Sequence, residues 1–243
     1  VPVWIVPTHY CGTETSPYLD AVCHDLDPSV QLMWTGDHVV NDSIDAAAAA
    51  RGAGGTGRPP PLWDPPPVND AVVRDALHLG PVTGRDPALR DTCAGVLWNP
   101  MEFARASIAT MTSAAGWWRG ADPVDAWADE VRRRGWWHLA VATSFRGDAH
   151  WPGDAADDTA WWQDVVDGLP GDAAEVGVDA DVQPWIDAAR EGASIGRDAT
   201  ALTGASRSPL RVLGLAARWR TWRRRDVSTF GAGPRVRCVM ICR

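Results

Sequence analysis

The chain contains no lysine: all 23 of its basic residues are arginine, set against 31 carboxylates. The formal charge of -8 argues against a general nucleic-acid binder, because phosphate contacts require a basic footprint. No apolar run approaches the roughly 18 residues that a bilayer-spanning helix needs. None of the five cysteines (Cys11, Cys23, Cys93, Cys238 and Cys242) forms a CxxC pair, and no His stands at zinc-finger spacing from them. They read as buried or incidental thiols rather than metal ligands. No repeat recurs at a fixed period. No Met opens the chain, which starts at Val1 within a strand-like run and stops in another, 236–242. Both ends read as cut, so the lack of a targeting signal carries no information about compartment.

Hydrophobic content of 45% suffices for a substantial core, and most of the 15 Trp belong there. Four short apolar runs organise the first hundred residues: Val1-Pro-Val-Trp-Ile-Val-Pro-Thr-His-Tyr10, Gln31-Leu-Met-Trp-Thr-Gly36, Pro61-Leu-Trp-Asp64 continuing to Asn69-Asp70, and Gly95-Val-Leu-Trp-Asn-Pro100. Each is short enough for a buried strand, and helical stretches lie between them. That alternation predicts β/α units with a parallel sheet, whose ligands sit at the carboxyl ends of the strands. Ser16 and Pro17 open one helix as N-cap and first residue. Further helices are predicted over 42–51 and 71–77, with a turn at 86–91.

From Met101 onward helices take over, predicted over 101–117, 124–137, 158–169, 182–202 and 206–225. Residues 145–158 are acidic and Gly-rich and read as a loop. In the last helix, Arg218-Trp-Arg-Thr-Trp-Arg223 mixes Arg with Trp. Such mixing could serve nucleic acid or an anionic glycan. Trp219 and Trp222 at i, i+3 also fit an amphipathic helix with Trp inward and Arg outward, and that reading is preferred.

The segments Pro7-Thr-His-Tyr-Cys-Gly12, Ser16-Pro-Tyr-Leu19, Met33-Trp-Thr-Gly36, Leu62-Trp-Asp64 with Val68-Asn-Asp70, Leu79-Gly-Pro81 and Trp98-Asn-Pro100 follow one another in an order that resembles the family 84 glycoside hydrolases. These are the O-GlcNAcase and bacterial hyaluronidase-like β-N-acetylglucosaminidases. The likeness is strong over residues 1–118 and weaker beyond, through Gln183-Pro-Trp-Ile-Asp187.

The resemblance implies an α/β fold: the second half of a (β/α)8 TIM-type barrel over 1–118, a helical bundle over 119–205, and an Arg-rich helix leading into a truncated β segment over 206–243. It implies retaining, substrate-assisted removal of terminal β-linked N-acetylglucosamine, with no cofactor or metal, from a glycan or glycoprotein; no nucleic-acid or membrane partner is expected. The substrate's acetamido oxygen attacks the anomeric carbon while two adjacent Asp residues orient the amide and supply acid and base. That pair is expected upstream of Val1, so no catalytic residue is assigned and the isolated chain is expected to be inactive. The Asp157-Asp158 doublet, with no apolar strand before it, is no substitute.

By the same resemblance Val6, Tyr10 and Trp63 line the N-acetyl pocket, and Asp70 and Asn99 bond the sugar hydroxyls at O4 and O6. Taken alone, Val6 and Trp63 also suit a core, Tyr10 a loop aromatic, Asp70 a helix N-cap and Asn99 a turn before proline. Two departures stand out. Pro65 replaces an Asn that bonds near the reacting centre, and His9 replaces a Glu. A non-catalytic sugar-binding or scaffold protein on the same fold is the alternative reading.

Overall fold

The structure, a computed structural model, describes residues 3–12, 16–70, 74–146, 149–150, 159–202 and 208–230. Ala71–Val73, Asp157-Asp158 and the strand-like 236–242 lie outside the described residues. The chain divides into two compact units: unit 1 is 1–68, 82–100 and 111–126, and unit 2 is 69–81, 101–110 and 127–243.

Unit 1 alternates strand and helix: β1 (Val3–Ile5), α1 (Pro17–His24), β2 (Val30–Leu32), α2 (Ala46–Thr56), β3 (Pro61–Pro67), α3 (Leu89–Thr92) and β4 (Gly95–Asn99). The expected cap of α1 is present, with the Ser16 hydroxyl accepting from the Leu19 amide and Pro17 first in the helix. Asp45 caps α2 by accepting from the Ala48 amide at 2.6 Å. β1 pairs in parallel with β2, and β3 with β4. Just past β2, Trp34 bridges Leu62 in parallel, giving its amide to the Pro61 carbonyl and accepting from the Trp63 amide. The four strands therefore run parallel in chain order.

Side chains alternate across that sheet. Trp34, Leu62, Val96 and Trp98 pack with Ala48 and Ala49 of α2, Leu89 and Cys93 around α3, and Trp117. Burial holds the Cys93 thiol largely un-ionised, pushing its pKa up to about 11. Trp63 and Leu97 are register partners on the other face, where Leu97 is 47% exposed. There the Trp4 ring of β1 lies 3.1 Å from where a side chain on Gly95 of β4 would begin. In a flat sheet those strands would stand about 14 Å apart, beyond an indole's reach. The sheet must curl toward this face.

The chain passes between the units within α4 (Ile108–Trp118) and α5 (Pro123–Arg133). Unit 2 continues with α6 (Trp137–Thr143), a hairpin of β5 (Phe145–Arg146) and β6 (Ala149–His150), α7 (Thr159–Gly168), α8 (Gln183–Thr200) and α9 (Pro209–Trp222). Its core joins Trp127, Trp136, Leu139, Trp162, Ile186 and Ile195. Small residues on α8 admit the indoles: Trp162 lies against Gly196 and Trp222 against Gly192, where a β-carbon would fall 2.5 and 2.9 Å from the rings. Trp222 is buried and donates to the Ala188 carbonyl, Trp219 is half-buried, and Arg220, Arg223 and Arg224 are exposed. The inward-Trp, outward-Arg reading of α9 therefore holds.

Several expected boundaries are corrected. Residues 74–77 form a turn and a single β-bridge rather than the end of a 71–77 helix. The helix expected from Met101 begins at Ile108, because the Asp179 carboxylate takes the Arg105 and Ala106 amides and competes with earlier helical bonding. The helix expected over 124–137 breaks at Gly135, where φ is +71°, into α5 and α6. The 145–158 loop contains the β5–β6 hairpin.

Candidate functional site

Two loops beyond the strands of unit 1 are locked together by their backbones. The Thr35 amide donates to the Tyr10 carbonyl and the Gly12 amide to the Gly36 carbonyl, both at 2.8 Å. The Trp34 indole donates to the Gly12 carbonyl at 2.8 Å, and the Thr35 hydroxyl bonds the His38 carbonyl at 3.0 Å. Buried Asn41 fastens the second loop by donating to the Thr35 and His38 carbonyls and accepting from the His38 amide. Gly36 is required there: its φ is +114°, and a β-carbon would meet the Asn41 amide at 2.6 Å.

This scaffold presents Tyr10 against Trp63, with ring centroids 5.7 Å apart and planes tilted by 51°. Both rings are half-buried. Asn99 ends β4 on the Trp63 side of the sheet by alternation, and Val6, 49% exposed, follows β1 in phase with Trp4. Four of the five expected residues (Val6, Tyr10, Trp63 and Asn99) thus belong to one face of unit 1. Asp70 is exposed and belongs to unit 2.

Beneath Trp63 lies a pair that the sequence reading missed. Asp64 and Arg85 are fully buried and joined in a fork, Nε to Oδ2 at 2.8 Å and Nη2 to Oδ1 at 2.7 Å. Arg85 also donates to the Asp42 and Thr83 carbonyls, so the ion pair is closed on all sides. Both Asp64 carboxylate oxygens are therefore engaged by Arg85 within the core. The available signal was an acidic residue between two apolar strand positions, which demands a buried countercharge.

His9 sits with its Nδ1 3.0 Å from the Ser16 hydroxyl and its ring 4.7 Å from that of Tyr18. A cleft of about 30 Å³, lined by Pro7, His9, Cys11, Leu19, Trp34 and Thr56 among others, opens beside it. That is room for about two waters, and none of the five candidates lines it. Pro65 is buried in β3 and presents no hydrogen-bonding side chain. Among the described residues no three metal-ligating side chains converge, and no helix is long and apolar enough to cross a membrane.

Parallel strands in chain order, with an aromatic pair and an amide on the face away from the helices, define a β/α protein, a class whose ligands generally sit beyond the strands. The model of the β-N-acetylglucosaminidase family matches residues 1–140. The chain belongs to that family, glycoside hydrolase family 84. The Protein O-GlcNAcases of Rattus norvegicus and Mus musculus are each 34% identical over 119 residues, which is 46% of this chain and 13% of theirs. A mutant of the Thermobaculum terrenum O-GlcNAc hydrolase superposes over 99% of this chain and 60% of its own, with a TM-score of 0.80 at 19% identity. CpGH84B superposes over 94% of this chain and 49% of its own, with a TM-score of 0.75 at 17% identity.

Proposed function

We propose that the chain is the sugar-holding part of a hydrolase that removes terminal β-linked N-acetylglucosamine from glycans or glycoproteins. In this reading 1–118 is the second half of a (β/α)8 barrel, 119–205 a helical domain and 206–243 an Arg-rich extension. The strand order and the curl of the sheet support the half-barrel. The observation that carries the function is the Tyr10–Trp63 pair, held open on the strand face by locked loops.

An aromatic floor of this kind desolvates the acetamido group and holds its oxygen near the anomeric carbon, which is what substrate-assisted attack requires. Val6 extends that floor, while Asn99 and Asp70 hold the hydroxyls at O4 and O6. Retention follows from attack by the substrate's own acetamide and then by water on the opposite face of the bicyclic intermediate. The orienting and acid/base carboxylates are assigned to a strand end other than these four. Among the described residues, no strand of unit 1 ends in adjacent carboxylates. The chemistry calls for no cofactor or metal.

A titration of the chain with N-acetylglucosamine and glucose, for wild type and W63A, tests this. We expect W63A to weaken N-acetylglucosamine binding by about tenfold or more, the worth of a buried aromatic contact, and glucose binding far less. Equal losses for both sugars, or none, overturn the acetamido role. Pro65 favours a second reading, a sugar-binding protein without turnover, because the family's Asn contact near the reacting centre is missing. Hydrolysis of a chromogenic N-acetylglucosaminide by the protein at its native length excludes it.

A further inference from the structure

The strand that carries Trp63 loses its own support one residue later. Asp64 stands opposite Trp98 of β4 and Pro67 opposite Asn99, so the register slips and Pro65 and Pro66 have no partner on that strand. Pro65, Pro66 and Pro67 have no amide hydrogen to give a ladder, and such residues bulge out of a sheet rather than hold it. Between Asp64 and Pro67 the strand cannot donate to a neighbour, and side chains must brace it instead.

Arg85 supplies that brace. Besides the fork on Asp64, its Nη1 donates to the Asp42 carbonyl at 3.0 Å and the Thr83 carbonyl at 2.8 Å. Arg85 is anchored in turn, its own carbonyl accepting from the Trp117 indole at 3.0 Å. On either side of it the Ile44 amide donates to the Gly84 carbonyl at 2.8 Å and the Asp86 amide to the Ile44 carbonyl at 3.0 Å. Gly84 has a φ of +72°, and a β-carbon there would collide with the Asp42 carbonyl, so glycine alone lets the two segments press together.

These bonds close a circuit around Trp63. The Trp63 amide donates to the Trp34 carbonyl at 2.8 Å, and Thr35, next in the chain, holds the Tyr10 loop. Asn41 bonds the Thr35 carbonyl at 2.8 Å and precedes Asp42, whose carbonyl takes Arg85. Arg85 then returns to Asp64, beside Trp63. Every member lies in unit 1. By alternation Asp64 points away from the face that carries the Trp63 ring, so Arg85 acts through the backbone and not on a sugar.

We propose that Arg85 is a positioning residue for Trp63: it fixes the angle at which that ring meets Tyr10, and with it the preference of the site for an acetamido group over a hydroxyl. This rests on the proposed acetamido role of the pair. A gap of about 0.5–1 Å forfeits a quarter to a half of a dispersion contact, so a ring free to tilt grips an acetamido group less well than one held.

The test is the ratio of affinities for N-acetylglucosamine and glucose, titrated on the protein at its native length. Wild type is compared with W63A, R85K, the D64L/R85M double variant and L89A. Lysine keeps the charge beside Asp64, but one ammonium cannot reproduce the fork and span both carbonyls. The double variant removes the ion pair without stranding a charge, which keeps the fold. L89A weakens the core of the same unit outside the circuit. We expect wild type to prefer N-acetylglucosamine, W63A to erase that preference, and R85K and D64L/R85M to shrink it by about three- to tenfold with glucose binding unchanged. L89A should lower the melting temperature and leave the ratio intact. An unchanged ratio in either Arg85 variant that melts cooperatively, or an equal drop in L89A, overturns the positioning role alone. A wild type without preference, or a W63A that keeps it, brings down the acetamido role and that of Arg85 with it.

Discussion

Unit 1 and unit 2 solve the same problem in opposite ways. In unit 1 the backbone does most of the ordering: parallel pairing sets the strands, and the loops past them are tied carbonyl to amide. One sheet face is packed against helices, while the other leaves Trp4, Val6 and Leu97 between 37% and 49% exposed. In unit 2 side chains do the ordering, with indole nitrogens reaching main-chain carbonyls and aromatic rings seated on glycines of α8. A face open to solvent suits a place where a ligand docks. A core knit by long side chains suits a platform that must not move.

The largest expected effect breaks the ordering of unit 1 at its buried charge. Arg85→Met strands the Asp64 carboxylate and should cost about 3–5 kcal/mol in denaturant unfolding, while replacing both partners with apolar residues should recover most of that. If the single substitution proves mild, Asp64 is reached by water and the closed ion pair is misdescribed.

A matched pair of truncations sharpens the contrast. Leu139→Ala, in the core of unit 2, should cost about 2–5 kcal/mol, whereas Leu97→Ala should stay below about 1 kcal/mol because its methyl groups already meet solvent. A large Leu97 penalty would mean that the open face is covered in the folded protein.

The smallest effect is electrostatic. Burial pushes the Glu130 carboxyl upward, but bonds and charges from Arg133 and Arg134 outweigh it and hold the group below its ordinary 4.5. A folded value below the unfolded one stabilises above about pH 4.5, and the benefit disappears as pH falls through the folded value. Glu130→Gln should therefore lower thermal stability at pH 7 by no more than about 1 kcal/mol, a difference that shrinks as the pH falls below about 4.5.

Local chemistry was legible where one segment decides its own fate. The four strands follow from short apolar runs, the start of α1 from Ser16-Pro17, and the inward side of α9 from the spacing of Trp219 and Trp222. Reading failed where a remote group intervened. Residues 74–77 have a helical composition, but their backbone is claimed by Trp185 and Ser228, 110 and 153 positions from Asp75. The start of α4 is displaced by Asp179, more than seventy residues away. Arg85 went unnoticed because its partner lies 21 residues earlier, in β3, and nothing between them is periodic. The resemblance named four residues that the fold gathers on one face; of the clasp beneath Trp63 it includes Asp64 in its motif but not Arg85.

The contact between Ser228 and Asp75 also sets an order of events during folding. Helices and neighbouring parallel strands can form from nearby sequence, but a contact between residues 75 and 228 closes a loop of most of the chain. Loop closure of that length is slow to find and brings little until both sides are already structured. Residues 74–80 therefore settle last, after the helices and strands around them have formed.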